Sequence, residues 1–245
     1  MAAFMELVRE KLEDDESESE DLMRAEGGRF HGGGNWHTNL VFRFTRPTAT
    51  EIEKQIATAE MLPSHAPLLL PIEYGPGERR LLRGFAHDLS RSLLGQGADV
   101  FQNAKRAFER WAPFDIGWVR VANPDASVET GQMIAVEIRT FGLRTLNLSR
   151  IIDKVDTATR FGFIYSTTPM HVETGQEKFL IEFDPATGNV WYELEAVSRP
   201  RHPLVRLGFP IARALQHRFA RDSHRRMKQA ASTNLNLCAE AERAS

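Results

Sequence analysis

Residues 150–200 read RIIDKVDTATRFGFIYSTTPMHVETGQEKFLIEFDPATGNVWYELEAVSRP, and the fold turns on this stretch. Residues 159–167, 177–184 and 189–197 alternate apolar with polar side chains at period two, the mark of strands with one buried face. Asp184-Pro-Ala-Thr-Gly-Asn189 supplies the turn between the last two. Working outward, the same period predicts strands at 116–121, 132–140 and 146–155, and Asn39 to Thr45 adds an earlier one. Downstream, Leu204, Leu207, Ile211, Leu215, Phe219 and Met227 fall on one helical stripe. Pro203 suits its first turn, and Pro210 predicts a kink or a restart. The sum is an α+β fold in which a curved antiparallel sheet of six or seven strands grips a long C-terminal helix.

The remaining segments are placed by caps and composition. Thr50 and Glu53 form a capping-box pattern that opens a helix ending near Met61. Residues 62–97 are rich in Pro and Gly and read as irregular connection. Asp99 and Gln102 open a second helix, whose Phe101, Ala104, Phe108 and Trp111 share a face. Residues 1–36 carry an acidic run and end in glycines, so they read as a flexible tail. Residues 37–231 then form one domain, and 232–245 a C-terminal tail.

A chain of 245 residues with 42% apolar and 26% charged side chains has the composition of a folded domain. Cys238 is the single cysteine, which excludes an internal disulfide framework and a cysteine-based zinc site. The longest apolar run, Ala66 to Ile72, is short and broken by Pro67 and Pro71, so neither a leader nor a membrane span is expected. A cytoplasmic location follows as the expectation. Charge is unevenly spread. Residues 6–26 hold ten acidic and three basic side chains, whereas residues 199–228 hold nine basic ones against Asp222. Two readings stand for the basic segment: an anionic partner, or a solvated helix face against which the acidic tail lies. Arg213, Arg218, Arg221, Arg225, Arg226 and Lys228 have no interleaved exposed aromatics, which weighs against nucleic acid.

Strand alternation nominates the interior. Phe179, Ile181 and Phe183 bring Glu177 onto their face; Phe161, Phe163, Tyr165 and Thr167 share another; Leu146, Leu148 and Ile152 bring Arg150. Unpaired charges are costly inside, so Arg150 and Glu177 are expected to pair, as a register latch or as part of a ligand site. His171 sits in a turn two residues from Glu173, where it serves either as an acid–base group or as a turn-stabilising hydrogen-bond partner. His171-x-Glu173 lacks the later Pro-Cys-x-x-Cys of zinc deaminases, and no metal spacing or nucleophile signature is found. Gly95-Gln-Gly97 reads as a tight turn more readily than as a phosphate loop. No cofactor and no metal are expected.

Arg150-Ile151, Phe161-Gly-Phe-Ile-Tyr165, His171-x-Glu-x-Gly-x-Glu177-x-Phe179 and Ser198-Arg-Pro200 together resemble uncharacterised protein family 0548. Leu94-Gly-x-Gly97, Phe101, Ala104, Trp111-x-x-Phe114, Gly117-Trp118, Pro210 and Gln216 also fit, so the resemblance covers about residues 39–230. The chain departs from the pattern at Ser166, where members commonly have Gly, and at Gln176, where they commonly have a second Glu. The topology is similar to START and Bet v 1-like helix-grip domains. This resemblance implies a fold and the shape of a site, without an activity.

The functional expectation is a pocket for a small, largely apolar or lipid-like molecule between sheet and C-terminal helix. Phe161, Phe163, Tyr165, Thr167, Phe179 and Tyr192 are its expected walls, with Ile181 and Leu194. Arg150, His171, Glu173 and Glu177 are its polar anchors. Two other readings remain open: an acid–base enzyme using His171 and Glu177, of dehydratase, cyclase or hydrolase type, and an interaction protein with a filled core.

Overall fold

The sheet forms as the period-two reading requires, with one strand that the reading overlooked. The structure, a computed structural model, describes residues 42–64, 70, 84–171, 173–200 and 209–243. The elements in order are β1 (Phe42–Arg43), α1 (Ala49–Glu60), β2 (Ala86–Gln96), α2 (Ala98–Glu109), a 3₁₀ turn at Ala112–Phe114, β3 (Val119–Val121), β4 (Met133–Thr140), β5 (Leu143–Asp156), β6 (Arg160–Thr167), β7 (Glu173–Phe183), β8 (Asn189–Pro200) and α3 (Phe209–Arg243). The strands pair antiparallel in the order β2-β8-β7-β6-β5-β4-β3, and β1 adds onto β5. The proposed acidic tail, and the start of the strand expected at residues 39–45, lie outside the described residues.

Several expectations are corrected. β2 lies within the stretch expected to be irregular. Its cross-strand register puts Asp88, Ser90 and Ser92 on the face shared with Ala196, Leu194 and Tyr192, so the buried side of this strand is polar and shows no apolar alternation. The first capping box is Thr48 with Glu51 rather than Thr50 with Glu53: Glu51 N donates to Thr48 Oγ1 at 3.3 Å and Thr48 N to Glu51 Oε2 at 2.7 Å. The second helix is entered through Gly97, whose φ of +96° suits glycine and whose N–H donates to Gly188 O at 2.8 Å. Asp99 sits in the first turn without capping. Pro210 also falls in a first turn, that of α3, and the backbone of α3 runs on to Arg243, through the stretch expected as a tail.

The concave face is divided between two fillings. α2 occupies one end, where Phe108 meets Phe161, Phe163 and Tyr192 edge-on at 6.0, 6.1 and 5.7 Å between ring centroids. Phe108 is fully buried, and truncating such a side chain to Ala costs about 3–5 kcal/mol. α3 covers the other end through Ala212, Leu215 and Phe219, and its later turns pack on α2, where Asn103 Nδ2 donates to Ala231 O at 3.1 Å. A separate core lies on the outer face, where α1 packs Ile52 and Ala59 on Met133, Ala135, Leu146 and Leu148.

That outer core overturns the reading of Arg150. Leu146 and Leu148 are apolar because α1 covers them, not because they face the concave interior. Arg150 shares their side and pairs in register with Ser166, whereas Glu177 pairs with Tyr165 on the opposite face. A bulge at Ile152 then shifts the alternation of β5. Arg150 instead donates to the carbonyls of Glu60 at 2.9 Å and Leu62 at 3.2 Å, closing the C-terminal end of α1. No Arg150–Glu177 pair exists.

Candidate functional site

A cavity of about 220 Å³ lies between the concave face and α3, at the end of the sheet away from α2. Its walls are built from different elements: Phe114 and Trp118 from the 3₁₀ turn and the loop after it, Val119 from β3, Val136 and Ile138 from β4, and Ala212, Leu215 and Phe219 from α3. Thr145 and Asn147 of β5 line it too, which follows from the corrected facing of that strand.

One end of this apolar space is polar, and the register of β6, β7 and β8 explains why. Tyr165 pairs with Glu177 and Glu177 with Ala196; Gly175 pairs with Ser198, and Glu173 with Pro200. Period two therefore delivers Glu173 and Glu177 to the cavity from one strand. Gly175 lies between them because β8 comes very close: a Cβ there would sit 2.1 Å from the carbonyl oxygen of Val197.

Tyr165 donates its hydroxyl to Glu177 in a short hydrogen bond. Burial pushes the Glu177 carboxyl up to about 7; the bond from Tyr165 opposes this, and the nearby charges of Glu173 and Asp88 add to it. Burial, with the Glu177 charge beside it, also drives the Tyr165 phenol well above its usual value. Glu173 is raised chiefly by burial, held in check by Ser198 and Gln216. The Gln216 amide donates to both Glu173 oxygens, at 3.0 and 2.9 Å. No lysine or arginine is among the described residues lining the cavity, so its polar end is acidic. A carboxyl near 7 in such a place accepts or donates a hydrogen bond at neutral pH, and it is placed to exchange a proton with a bound molecule.

His171 lines the cavity and also stabilises its turn. Its Nδ1 accepts the Glu173 N–H at 3.0 Å, so the neutral ring carries its proton on Nε2. Thr167 lines the cavity while exchanging hydrogen bonds with the Gly175 backbone, at 3.0 and 3.3 Å. Of the residues nominated from sequence, the structure thus gathers Tyr165, Thr167, His171, Glu173 and Glu177. Phe161, Phe163, Phe179 and Tyr192, with Ile181 and Leu194, belong to the packed core instead, because α2 fills their end of the sheet. Tyr192 spends its hydroxyl on Ser223 Oγ of α3 at 2.8 Å. Gln216 was legible only as a position of the family pattern. Thr145 and Asn147 were not legible, since the alternation of β5 was read with Leu146, Leu148 and Arg150 facing inward.

α3 is held over the cavity by polar contacts along both flanks. Arg213 grips Asp88 with both terminal nitrogens, one at 2.6 Å. His224 sits between Ser92 at 2.6 Å and Ser90 at 2.8 Å. Trp118 Nε1 donates to Asp222 at 3.1 Å, and Arg226 reaches Asp115 at 2.9 Å. Arg218 and Arg225 also reach Asp222, and the Arg218 guanidinium lies 4.7 Å from the Trp118 ring centre. Most of the basic residues in this helix thus have partners within the fold.

No helix among the described residues is long and apolar enough to cross a membrane, and no group of three metal-ligating side chains occurs among them. Comparison with known proteins gives a family and no activity. The chain is 32% identical over 164 residues to a UPF0548 protein of Dictyostelium discoideum, covering 62% of this chain and 76% of that one. It is 31% identical over 208 residues to a UPF0548 protein of Deinococcus radiodurans, covering 78% of this chain and 99% of that one. Among solved structures, the ginseng major latex-like protein 151 of Panax ginseng aligns with 59% of this chain and 96% of its own at 11% identity, with a TM-score of 0.37. The sequence profile of the domain of unknown function DUF1990 matches residues 73–226. The chain therefore belongs to the DUF1990 family, whose relatives bear the UPF0548 name.

Proposed function

We propose that the chain binds a small, largely apolar molecule between the sheet and α3, with a hydrogen-bonding group of that molecule placed at Glu173 and Glu177. The cavity carries this reading. Packed interiors leave few voids larger than a water molecule, and an apolar cavity of roughly 150 Å³ admits benzene. A space of about 220 Å³ with two carboxylates at one end suits a ligand somewhat larger than a single ring, apolar in body and polar at one tip. An interaction protein with a filled core would not need this space. The single Cys238 accords with a cytoplasmic setting, which belongs to this reading, as does the division into an acidic tail at 1–36 and one domain from 37.

Native mass spectrometry of the chain purified from its own source cells tests the proposal, alongside Ala196→Phe and Leu215→Trp, which fill the cavity. The parent is expected to carry a small-molecule adduct that both variants lack. A bare parent, together with variants that melt higher than it does, would count against binding.

The Glu177 carboxyl near 7 favours a second reading, acid–base catalysis on the bound molecule. Glu177→Gln separates the two. It lowers turnover of the identified occupant by roughly 10²–10⁴ if Glu177 moves a proton, and changes only affinity if it does not.

A further inference from the structure

The β4–β5 hairpin, at the cavity end of the sheet, breaks local rules at its tip. Thr140 pairs with Leu143, and between them Phe141 and Gly142 have φ of +53° and +84°. Positive φ at both central positions is what a type I′ turn demands, and Asn or Gly ordinarily fills them. Phe141 is a bulky residue held in the left-handed region, and it is 50% exposed, so little burial offsets its strain. Phe44, 53% exposed, follows Arg43, which pairs with Arg144, so it stands at the same end of the sheet.

Arginines surround these two rings. Arg43, Arg144 and Arg139 form one cross-strand row over β1, β5 and β4, although like charges directly opposite one another are unfavourable. Arg144 and Arg120 converge on Glu137, with Arg46 at 3.7 Å from the same carboxylate. Arg43 reaches Glu51 at 3.5 Å. Arg139 is exposed and makes no ion pair among the described residues. Four arginines thus share two carboxylates, and Arg139 adds a fifth positive charge. Strain, exposed rings and positive charge only partly balanced by Glu137 and Glu51 coincide at one corner, as on a surface shaped for something outside the fold.

We propose that this corner docks on an anionic lipid bilayer, with Phe44 and Phe141 entering the headgroup region and the arginines meeting its acidic lipids. The excess positive charge selects an anionic surface. Two protruding rings selects lipid over a nucleic-acid strand, because stacked bases need a groove lined by aromatics. The placement agrees: Phe141 follows Thr140, which lines the cavity, so a docked molecule would bring its cavity to the lipid boundary. The proposal stands whether or not the cavity is occupied.

Co-sedimentation of the full chain with vesicles tests it, using phosphatidylcholine alone and a phosphatidylcholine–phosphatidylserine mixture. Binding is expected to the mixture, weak to phosphatidylcholine alone, and to fall with added salt. Arg139→Gln should weaken it about fivefold, and Phe44→Ser with Phe141→Asn should abolish it. Asn tolerates positive φ, so a melting temperature equal to the parent's or higher shows that the Phe141→Asn fold is intact. Equal binding to the two vesicle types, or binding indifferent to these substitutions, overturns the proposal. So does tight binding to a single-stranded oligonucleotide that the same substitutions remove.

Discussion

Tyr165 and Glu177 occupy directly opposed positions on neighbouring strands, and the phenol of one donates to the carboxylate of the other inside the cavity. The pair carries a pH signature. The Glu177 carboxyl stands at about 7 in the folded chain against an ordinary 4.5, so the folded state holds a proton that the unfolded state releases. Its contribution to stability is therefore full below the ordinary value and is lost as pH rises towards 7, with a slope of up to about 1.4 kcal/mol per pH unit. Glu177→Gln keeps an acceptor for Tyr165 and removes the titration. Urea unfolding at pH 4.5 and pH 8 should show the variant gaining on the parent at the higher pH; a constant difference would mean that Glu177 does not titrate abnormally.

Arg150 should behave as a helix-end residue. Arg150→Leu strands the carbonyls of Glu60 and Leu62 and is expected to cost about 1–2 kcal/mol, since solvent can reach part of this site. Combined with Glu177→Gln, its effect should add to within about 0.5 kcal/mol, because the two side chains lie on opposite faces of the sheet. A larger coupling in the double-mutant cycle would restore the pair that the fold separates.

Lys178 is the buried cation of the outer face. Its amine lies 3.0 Å from Glu193 and 2.6 Å from Glu195, and His87 meets Glu195 at 2.7 Å. Burial alone would raise Glu195, but the hydrogen bonds from Lys178 and His87 outweigh it and leave this carboxyl below its usual value. Lys178→Met strands two acids and should cost roughly 3–5 kcal/mol in chemical denaturation. Replacing Glu193 and Glu195 with Gln in the same chain should recover much of that loss.

Gly175→Ala should be poorly tolerated. Its methyl would fall 2.1 Å from Val197 O and 2.7 Å from Ser198 Cα, both backbone atoms that cannot swing away. A loss of about 3 kcal/mol or more is expected by urea titration. A variant of near-parental stability would show that β8 moves freely away from β7.

The strands from β3 to β8 were legible because large apolar side chains recur at period two, as at Phe161, Phe163 and Tyr165 and at Phe179, Ile181 and Phe183. β2 was not, because Asp88, Ser90 and Ser92 face a polar flank of α3 and leave no apolar period. For the same reason, burial could not be equated with apolarity on β5. There α1 makes Leu146 and Leu148 the covered outer residues, and the cavity claims Thr145 and Asn147. Glu177 and Tyr165 emerged from strand period, and Glu173 from its place two residues after His171. The separation of Phe161 and Phe179 from the cavity depended on where α2 sits along the sheet, a three-dimensional fact with no local signal.

The pairing of Ala86 with Ser198 joins segments more than a hundred residues apart, and α3 follows only after β8. During synthesis β2 emerges early and waits without its neighbour while the five strands that lie between it and β8 in sequence are made. The cavity end of the concave face then stays uncovered until α3 has left the ribosome. Long-range pairing of this kind folds slowly and exposes apolar surface on the way. A nascent chain halted before Phe209 is thus the species most in need of a chaperone.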